Sequence, residues 1–348
     1  MTAMHENPGL AEETIAACLD VHYGLEVASV EFLPLGLDLD AAAYKVVSPE
    51  GSSWFLKVRF GPVRELGLVV PSALIDQGVP NILGPLRTRA SALWCPLDSD
   101  SGYSVVLFPF IHGKNAKVAG MSDEQWRTFG STLRAIHDSA VGEQLGHLLH
   151  VEAFALPSAA KVRRLLAMLD GAQFESPAAT QLAAFFHENT GRIRGMLTRA
   201  EELGAQLQSR SFEFVLCHGD IHAANVLVGS DGRIFLTDWD GPPEPLIAPR
   251  ERDLLFVVGS RIARVVQPRE EALFFEGYGP VEIDPSALAY FRYERIVEDI
   301  GECGEAVLLN DGLGEDSRAA QAMLAMHFFE PGGDVDVAEI VRDHRLTA

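Results

Sequence analysis

Apolar positions divide the chain into two regions of different period. Over residues 10–23, Leu10, Ile15, Leu19 and Tyr23 predict a short amphipathic helix. Three strand-like runs follow, Val27 to Leu33, Ala43 to Val47 and Trp54 to Arg59, with Ser48 to Ser52 as a hairpin turn between the last two. Residues 62–77 fit a helix interrupted by Gly67 and Pro71, and 92–108 fit a second hairpin with a polar tip at Asp98 to Gly102. The period then changes. Ser122 with Gln125 three residues on predicts a capping box, and Trp126, Phe129, Leu133 and Ile136 recur at helical spacing behind it. Residues 158–170 and 178–208 read as helices. Short strands are expected at 214–216, 226–228 and 234–237, and mostly helix from Arg252 onward. The pattern predicts an α+β, two-lobed protein: a small β-rich lobe over 1–108, a connector at 109–113 and a larger helical lobe over 114–348.

Charge and composition narrow the partners. The chain has 348 residues, with 28 Lys+Arg against 49 Asp+Glu, a formal net charge of −21. Nucleic acid and anionic membranes are disfavoured as partners, whereas a cationic small molecule is compatible. No apolar run approaches the ~20 residues that span a bilayer, and the N-terminus has no basic-then-apolar leader pattern, so a cytoplasmic protein is expected. Cys18, Cys95, Cys217 and Cys303 are scattered without a C-x-x-C pair, which indicates neither a disulfide framework nor a zinc site.

The chemistry concentrates in Cys217-His218-Gly219-Asp220-Ile221-His222-Ala223-Ala224-Asn225, followed by Leu236-Thr237-Asp238-Trp239-Asp240. Phosphoryl transfer to a hydroxyl needs one carboxylate to orient the acceptor and take its proton, plus oxygen ligands for a magnesium ion. Asp220 fits the first role; Asn225 and Asp238 fit the second. The H-x-D-x-x-x-x-N spacing with a later strand-end Asp has the layout of a kinase catalytic loop. Asp240 could be a second ligand, an anchor for the loop or an exposed charge. His218 and His222 are four apart, but Gly219 stands where a zinc-protease motif requires Glu. Lys57, inside the apolar run Phe55-Leu56-Lys57-Val58, is the candidate phosphate-binding lysine, and Glu65 is the candidate partner because no other Glu lies between Lys57 and residue 80. No P-loop motif occurs, and Gly36 alone marks the turn between the first two strands.

These residues carry a resemblance. His218 to Val228 with Leu236 to Asp240 resembles the aminoglycoside phosphotransferases and their small-molecule kinase relatives, which have a protein-kinase-like fold. The segments 242–256, 291–300 and Leu107 to Gly113 narrow it toward spectinomycin phosphotransferases, and the likeness spans roughly residues 25–310. The resemblance implies ATP and Mg²⁺ as cofactors. It places the adenine at the connector, with Phe108 walling the pocket, the Pro109 carbonyl free to accept, and Ile111 offering amide and carbonyl. It implies a structural role for His137 and a buried Arg252–Asp253 ion pair behind the catalytic loop. Residues 281–348 hold 15 acidic and 5 basic side chains. Within them Glu294, Glu298, Asp299 and Glu302 recur at helical spacing where the resemblance implies a cationic acceptor. Three readings remain open on this footing: an antibiotic kinase, a kinase for a metabolite such as choline, homoserine or a sugar, and a nucleotide-binding pseudokinase. A protein kinase is disfavoured because no A-P-E segment follows Asp238. A monomer or homodimer is expected.

Overall fold

The structure is a computed structural model that describes residues 7–35, 40–169, 171–241, 243–310 and 312–338. It contains two hydrophobic cores. The smaller core lies between helix α1 (Glu12–Tyr23) and one face of a five-stranded antiparallel sheet. The strands are β1 (Ser29–Leu33), β2 (Ala41–Val47), β3 (Ser53–Arg59), β4 (Cys95–Pro96) and β5 (Ser104–Pro109), in the order β1-β2-β3-β5-β4. Side chains alternate along a strand. Leu56 and Val58 therefore enter this core from β3, and Lys57 points from the opposite face. In register, Lys57 sits between Ala43 and Val106, in the middle of the sheet.

Helix α2 (Leu66–Asp76) follows β3, yet Val70 and Leu74 belong to the larger core. Gly67 explains how it docks there: a Cβ at this position would lie 2.4 Å from Asp240 Cα and 2.6 Å from the Trp239 carbonyl oxygen. Intrinsic propensity favours Ala over Gly inside a helix by about 0.5–1 kcal/mol. The contact predicts the opposite sign: Gly67→Ala should destabilise the protein by about 1–3 kcal/mol. Thermal melting checks this, and an unchanged or raised midpoint would show that the helix can move off the loop.

The larger core is mainly helical. It begins with β6 (Gly113–Asn115), α3 (Ala116–Ala119), α4 (Asp123–His137), α5 (Val141–Leu145), β7 (His150–Val151) and α6 (Ala159–Met168). The capping box at Ser122 and Gln125 forms in both directions. The helix expected over 178–208 is two helices, α7 (Pro177–Glu188) and α8 (Thr190–Leu207). They part at Asn189, whose Nδ2 donates to the Phe185 carbonyl while Thr190 Oγ1 donates to that of Phe186. Side-chain bonds thus serve carbonyls at the end of α7.

Strands β8 (Phe214–Cys217), β9 (Val226–Gly229), β10 (Ile234–Leu236) and β11 (Leu246–Pro249) then form the platform for the loops between them. The order β10-β9-β6 makes one small sheet and β7-β11-β8 another. β11, which sequence pattern did not signal, pairs Leu246 with Cys217 and backs the chain where it enters the His218 loop. The chain continues through α9 (Glu251–Leu254), α10 (Pro268–Tyr278), α11 (Pro285–Leu309) and α12 (Glu315–His327). Asp284 caps α11 through the Ser286 and Ala287 amides, and this 25-residue helix is buried along most of its first half. Among the described residues no helix is long and apolar enough to cross a membrane.

Candidate active site

The loop after β8 is held from behind by a buried carboxylate. Asp253 on α9 accepts from the His218 amide at 2.9 Å and the Gly219 amide at 2.8 Å. His137 Nε2 meets the same carboxylate at 3.1 Å, and His137 Nδ1 meets the Tyr278 hydroxyl at 2.7 Å. Burial pushes the Asp253 pKa up, but the bond to His137, the nearby histidines and the Gly219 amide outweigh it and hold it below the usual value. Gly219 has φ +87°, the left-handed conformation this tight turn needs. His137 is structural, as expected. Arg252 does not pair with Asp253 as expected; it faces Glu294 at 3.7 Å and Glu298 at 3.9 Å. Neighbours on α9 point to different sides of the helix, so one serves the loop and the other serves α11.

His218 links two loops. Its Nδ1 accepts from the Asp220 amide at 3.3 Å, so Nε2 carries the proton and donates to the Thr237 carbonyl at 3.0 Å. His222 Nδ1 accepts from the Ala224 amide, and burial lowers the His222 pKa. Both imidazoles thus accept from backbone amides at Nδ1, His222 Nε2 faces Asp220 Oδ1 at 3.6 Å, and among the described residues no metal-capable group includes either.

Asp220 is gripped from two sides. Arg295 Nη1 on α11 donates to Oδ1 at 2.6 Å, and Asn225 Nδ2 donates to Oδ2 at 3.3 Å and to the Asp220 carbonyl at 2.8 Å. Both Asn225 donor contacts go to Asp220, so its amide oxygen is the atom left for a cation. Thr237 ties the Asn225 turn to the next strand end by donating its amide and hydroxyl to the Asn225 carbonyl. One residue on, Asp238 has φ +62° and leaves 49% of its side chain exposed. Partial enclosure raises the Asp238 pKa; Lys57 opposes the rise, and Asp240 and Asp220 add to it. The four side chains therefore share one electrostatic neighbourhood.

Lys57 reaches this neighbourhood from the sheet. Its Nζ lies 2.9 and 2.8 Å from the two Asp240 carboxylate oxygens and 3.8 Å from Asp238. Arg59, 2% exposed, meets Asp240 at 3.4 Å, and Arg64 donates to the Asp240 carbonyl. Asp240 is thus a buried anchor. Glu65, expected to pair with Lys57, precedes α2 and accepts instead from Trp94 Nε1 at 3.2 Å. The connection from β3 is too short to turn it inward, and a carboxylate from the other lobe fills the place. Gly36 lies outside the described residues.

At the connector, Phe108 packs edge-to-face on Phe55 with ring centres 6.2 Å apart, and Pro109 pairs in register with Trp54. Phe108, Pro109 and Ile111 are all half-buried. The His112 carbonyl accepts from Ser230, which fixes the connector to the β9–β10 turn. On α11 the acidic residues separate. Glu294 is buried and accepts from the Tyr290 hydroxyl, and burial pushes its pKa up to about 8. Asp299 accepts from Arg295 Nε at 2.8 Å and is pushed up to about 7, again by burial first. Glu302 turns outward to Lys161 at 2.6 Å and shares that lysine with Glu305, so it is a surface ion pair. Arg295 was missed at the sequence level, although its spacing from Asp299 is that of a helical ion pair.

A carboxylate fixed beside an amide oxygen, with a second carboxylate next to a lysine delivered from a separate sheet, is the apparatus of a kinase-like phosphotransferase. The chain belongs to the phosphotransferase enzyme family, whose model matches residues 31–241. It is similar over 97% of its length to spectinomycin phosphotransferase in complex with ADP and spectinomycin, at 32% identity and a TM-score of 0.85, covering 99% of that chain. An amicoumacin kinase bound to AMP-PNP and Ca²⁺ aligns over 93% of this chain and 95% of its own at 16% identity, TM-score 0.60. Choline kinase from Streptococcus pneumoniae aligns over 90% and 98% at 17% identity, TM-score 0.57. The last two likenesses show the fold. No curated relative matches the sequence.

Proposed function

We propose that the protein transfers the γ-phosphoryl group of ATP, with Mg²⁺, to a hydroxyl of a cationic aminocyclitol or aminoglycoside antibiotic such as spectinomycin. The observation that carries this reading is the two-sided grip on Asp220 beside Asn225 and Asp238, in a chain 32% identical to a protein crystallised with ADP and spectinomycin. Asn225 and Asp238 offer only oxygen to a cation, which suits a hard ion, and they would hold it. Magnesium, when bound, would neutralise phosphate charge. Lys57 binds the phosphates, drawing on the same ammonium that meets Asp240. Asp220, with one oxygen fixed by Arg295, orients the acceptor hydroxyl and takes its proton. The connector residues Phe108, Pro109 and Ile111 receive the base.

An ATP-dependent ADP-release screen with spectinomycin, other aminoglycosides, choline, homoserine and sugars tests the proposal. Turnover with spectinomycin is expected. Turnover with a metabolite alone would overturn the substrate, and nucleotide binding without transfer to any acceptor would favour the pseudokinase reading.

The acceptor site should respond to pH. Asp299 feels the Asp220 charge and ionises as pH rises through about 7, so negative charge near Asp220 grows there. A permanently cationic acceptor should show a KM that falls by about tenfold there, the equivalent of one pKa unit. Asp299→Asn should flatten the profile. A KM independent of pH in the parent protein would remove Asp299 from the acceptor site.

A further inference from the structure

Among the described residues two groups of side chains could hold a metal ion. The first, His137, Cys217 and Asp253, is already saturated. Both imidazole nitrogens and both carboxylate oxygens have partners there.

The second group lies in the smaller core, on different elements from the Asp220 loop. Cys18 and His22 are one helical turn apart on α1, and Cys95 opens β4; one donor atom from each falls within 4.8 Å of the others. The two sulfurs are 3.7 Å apart. Two thiolates on a tetrahedral zinc, with Zn–S of about 2.3 Å, stand roughly 3.8 Å apart. A disulfide requires about 2.05 Å. Cys18 and Cys95 are 5% and 3% exposed, while His22 is partly exposed and opens the group to solvent on one side. The Tyr23 hydroxyl is buried beside Cys95 and the Leu107 backbone, so it borders the group on its inner side. Three protein donors leave the fourth position of a tetrahedral zinc to a water, which can enter from the partly exposed His22 side.

We propose that Cys18, His22 and Cys95 form a structural site for one Zn²⁺ ion that clamps α1 to the edge strand β4. Two thiolates and an imidazole are soft-to-borderline donors, which select zinc over the hard cations that phosphates attract. Each thiol gives up its proton to solvent on binding, and in Cys18 this ends its 3.5 Å contact to the Pro96 carbonyl. The two thiolates cancel the dication, so no net charge is left in the core. β4 pairs with β5, which runs directly into the connector, so the clamp stiffens the strand that leads to Phe108 and Pro109.

The test uses reduced, chelator-stripped full-length protein titrated with Co²⁺ and then Zn²⁺. One equivalent of Co²⁺ should bring thiolate-to-cobalt charge-transfer absorption, which Zn²⁺ displaces, and Zn²⁺ should raise the melting midpoint. The signal is specific for sulfur, so oxygen sites at Asp238 do not contribute. Cys18→Ser should abolish it. His22→Gln changes a partly exposed residue and should weaken binding by at least about 10- to 100-fold, the scale seen when even a partner behind a ligand is lost. Absence of the charge-transfer band in the parent protein would overturn the proposal. So would equal affinity in His22→Gln, or a Cys18–Cys95 disulfide that takes up no metal after reduction. None of these outcomes depends on which acceptor the enzyme phosphorylates.

Discussion

Asp220→Asn is expected to lower kcat by about 10²- to 10⁴-fold, the range for loss of a positioned general base. The amide is nearly isosteric but keeps only one accepting oxygen: with that oxygen on Arg295, the new NH2 group faces Asn225 Nδ2 and the 3.3 Å bond there is lost, while Asn225 still donates to the backbone carbonyl of residue 220. Arg295 keeps Asp299 as a partner at 2.8 Å, which limits the disturbance on α11. The nucleotide residues Lys57 and Phe108 lie on the sheet and do not touch Asp220 in any hydrogen bond described above. KM for ATP should therefore stay within a few-fold, and the melting midpoint should change little. Steady-state ADP release with an accepted acceptor, alongside nucleotide titration, makes the comparison. Near-normal turnover would remove Asp220 from the proton-transfer role. A collapse of both kcat and melting midpoint would assign it to structure instead.

The second large effect concerns Lys57 and Asp240 together. Lys57→Ala removes the ammonium aimed at the phosphates and should cost about 10²- to 10³-fold in kcat/KM for ATP, the scale of one preorganised charge donor. Asp240→Asn leaves the ammonium in the protein but removes the carboxylate that holds it between 2.8 and 2.9 Å. If the carboxylate acts by aiming Lys57, its loss approaches that of Lys57→Ala, and the double variant is scarcely worse than either single one. Asn is the better probe than Ala, because breaking a buried ion pair outright costs about 3–5 kcal/mol of stability. Arg59 would share that cost, since it contacts the same carboxylate. Losses that simply add in the double variant would show that Asp240 and Lys57 act separately.

The strands of the sheet, the capping box before α4 and the residues of the Asp220 loop were legible because each is written in a short window. Lys57 was legible for the same reason: one charged residue inside an apolar strand. Its partner was not, because Asp240 lies 183 positions away and meets Lys57 through tertiary packing, with α2 resting on the Asp240 loop at Gly67. Glu65 was the nearest carboxylate in sequence and the wrong one in space. Arg295 escaped for a related reason: its contact to Asp220 spans 75 positions and arises from the way α11 crosses the loop. Proximity of Cys18 and Cys95, 77 positions apart, likewise exists only after α1 docks on the sheet. Two local misreadings have local causes. Side-chain capping at Asn189 divides a helix that periodicity alone would continue. The segment containing β11 is rich in proline, which suppresses a strand reading that pairing with β8 restores.

The carboxylate behind the Asp220 loop has a consequence for how the site can be monitored. The His218 and Gly219 amides both point into Asp253, which is 0% exposed, though they belong to a loop. Loop amides ordinarily exchange with solvent deuterium through small local openings, whereas these exchange when α9 and its bond to His137 on α4, itself bonded to Tyr278 on α10, give way. Their exchange rates should therefore track larger openings of the helical lobe and fall among the slow ones. That makes two adjacent amides an internal clock for whether a variant retains its assembled loop, readable before any acceptor is known.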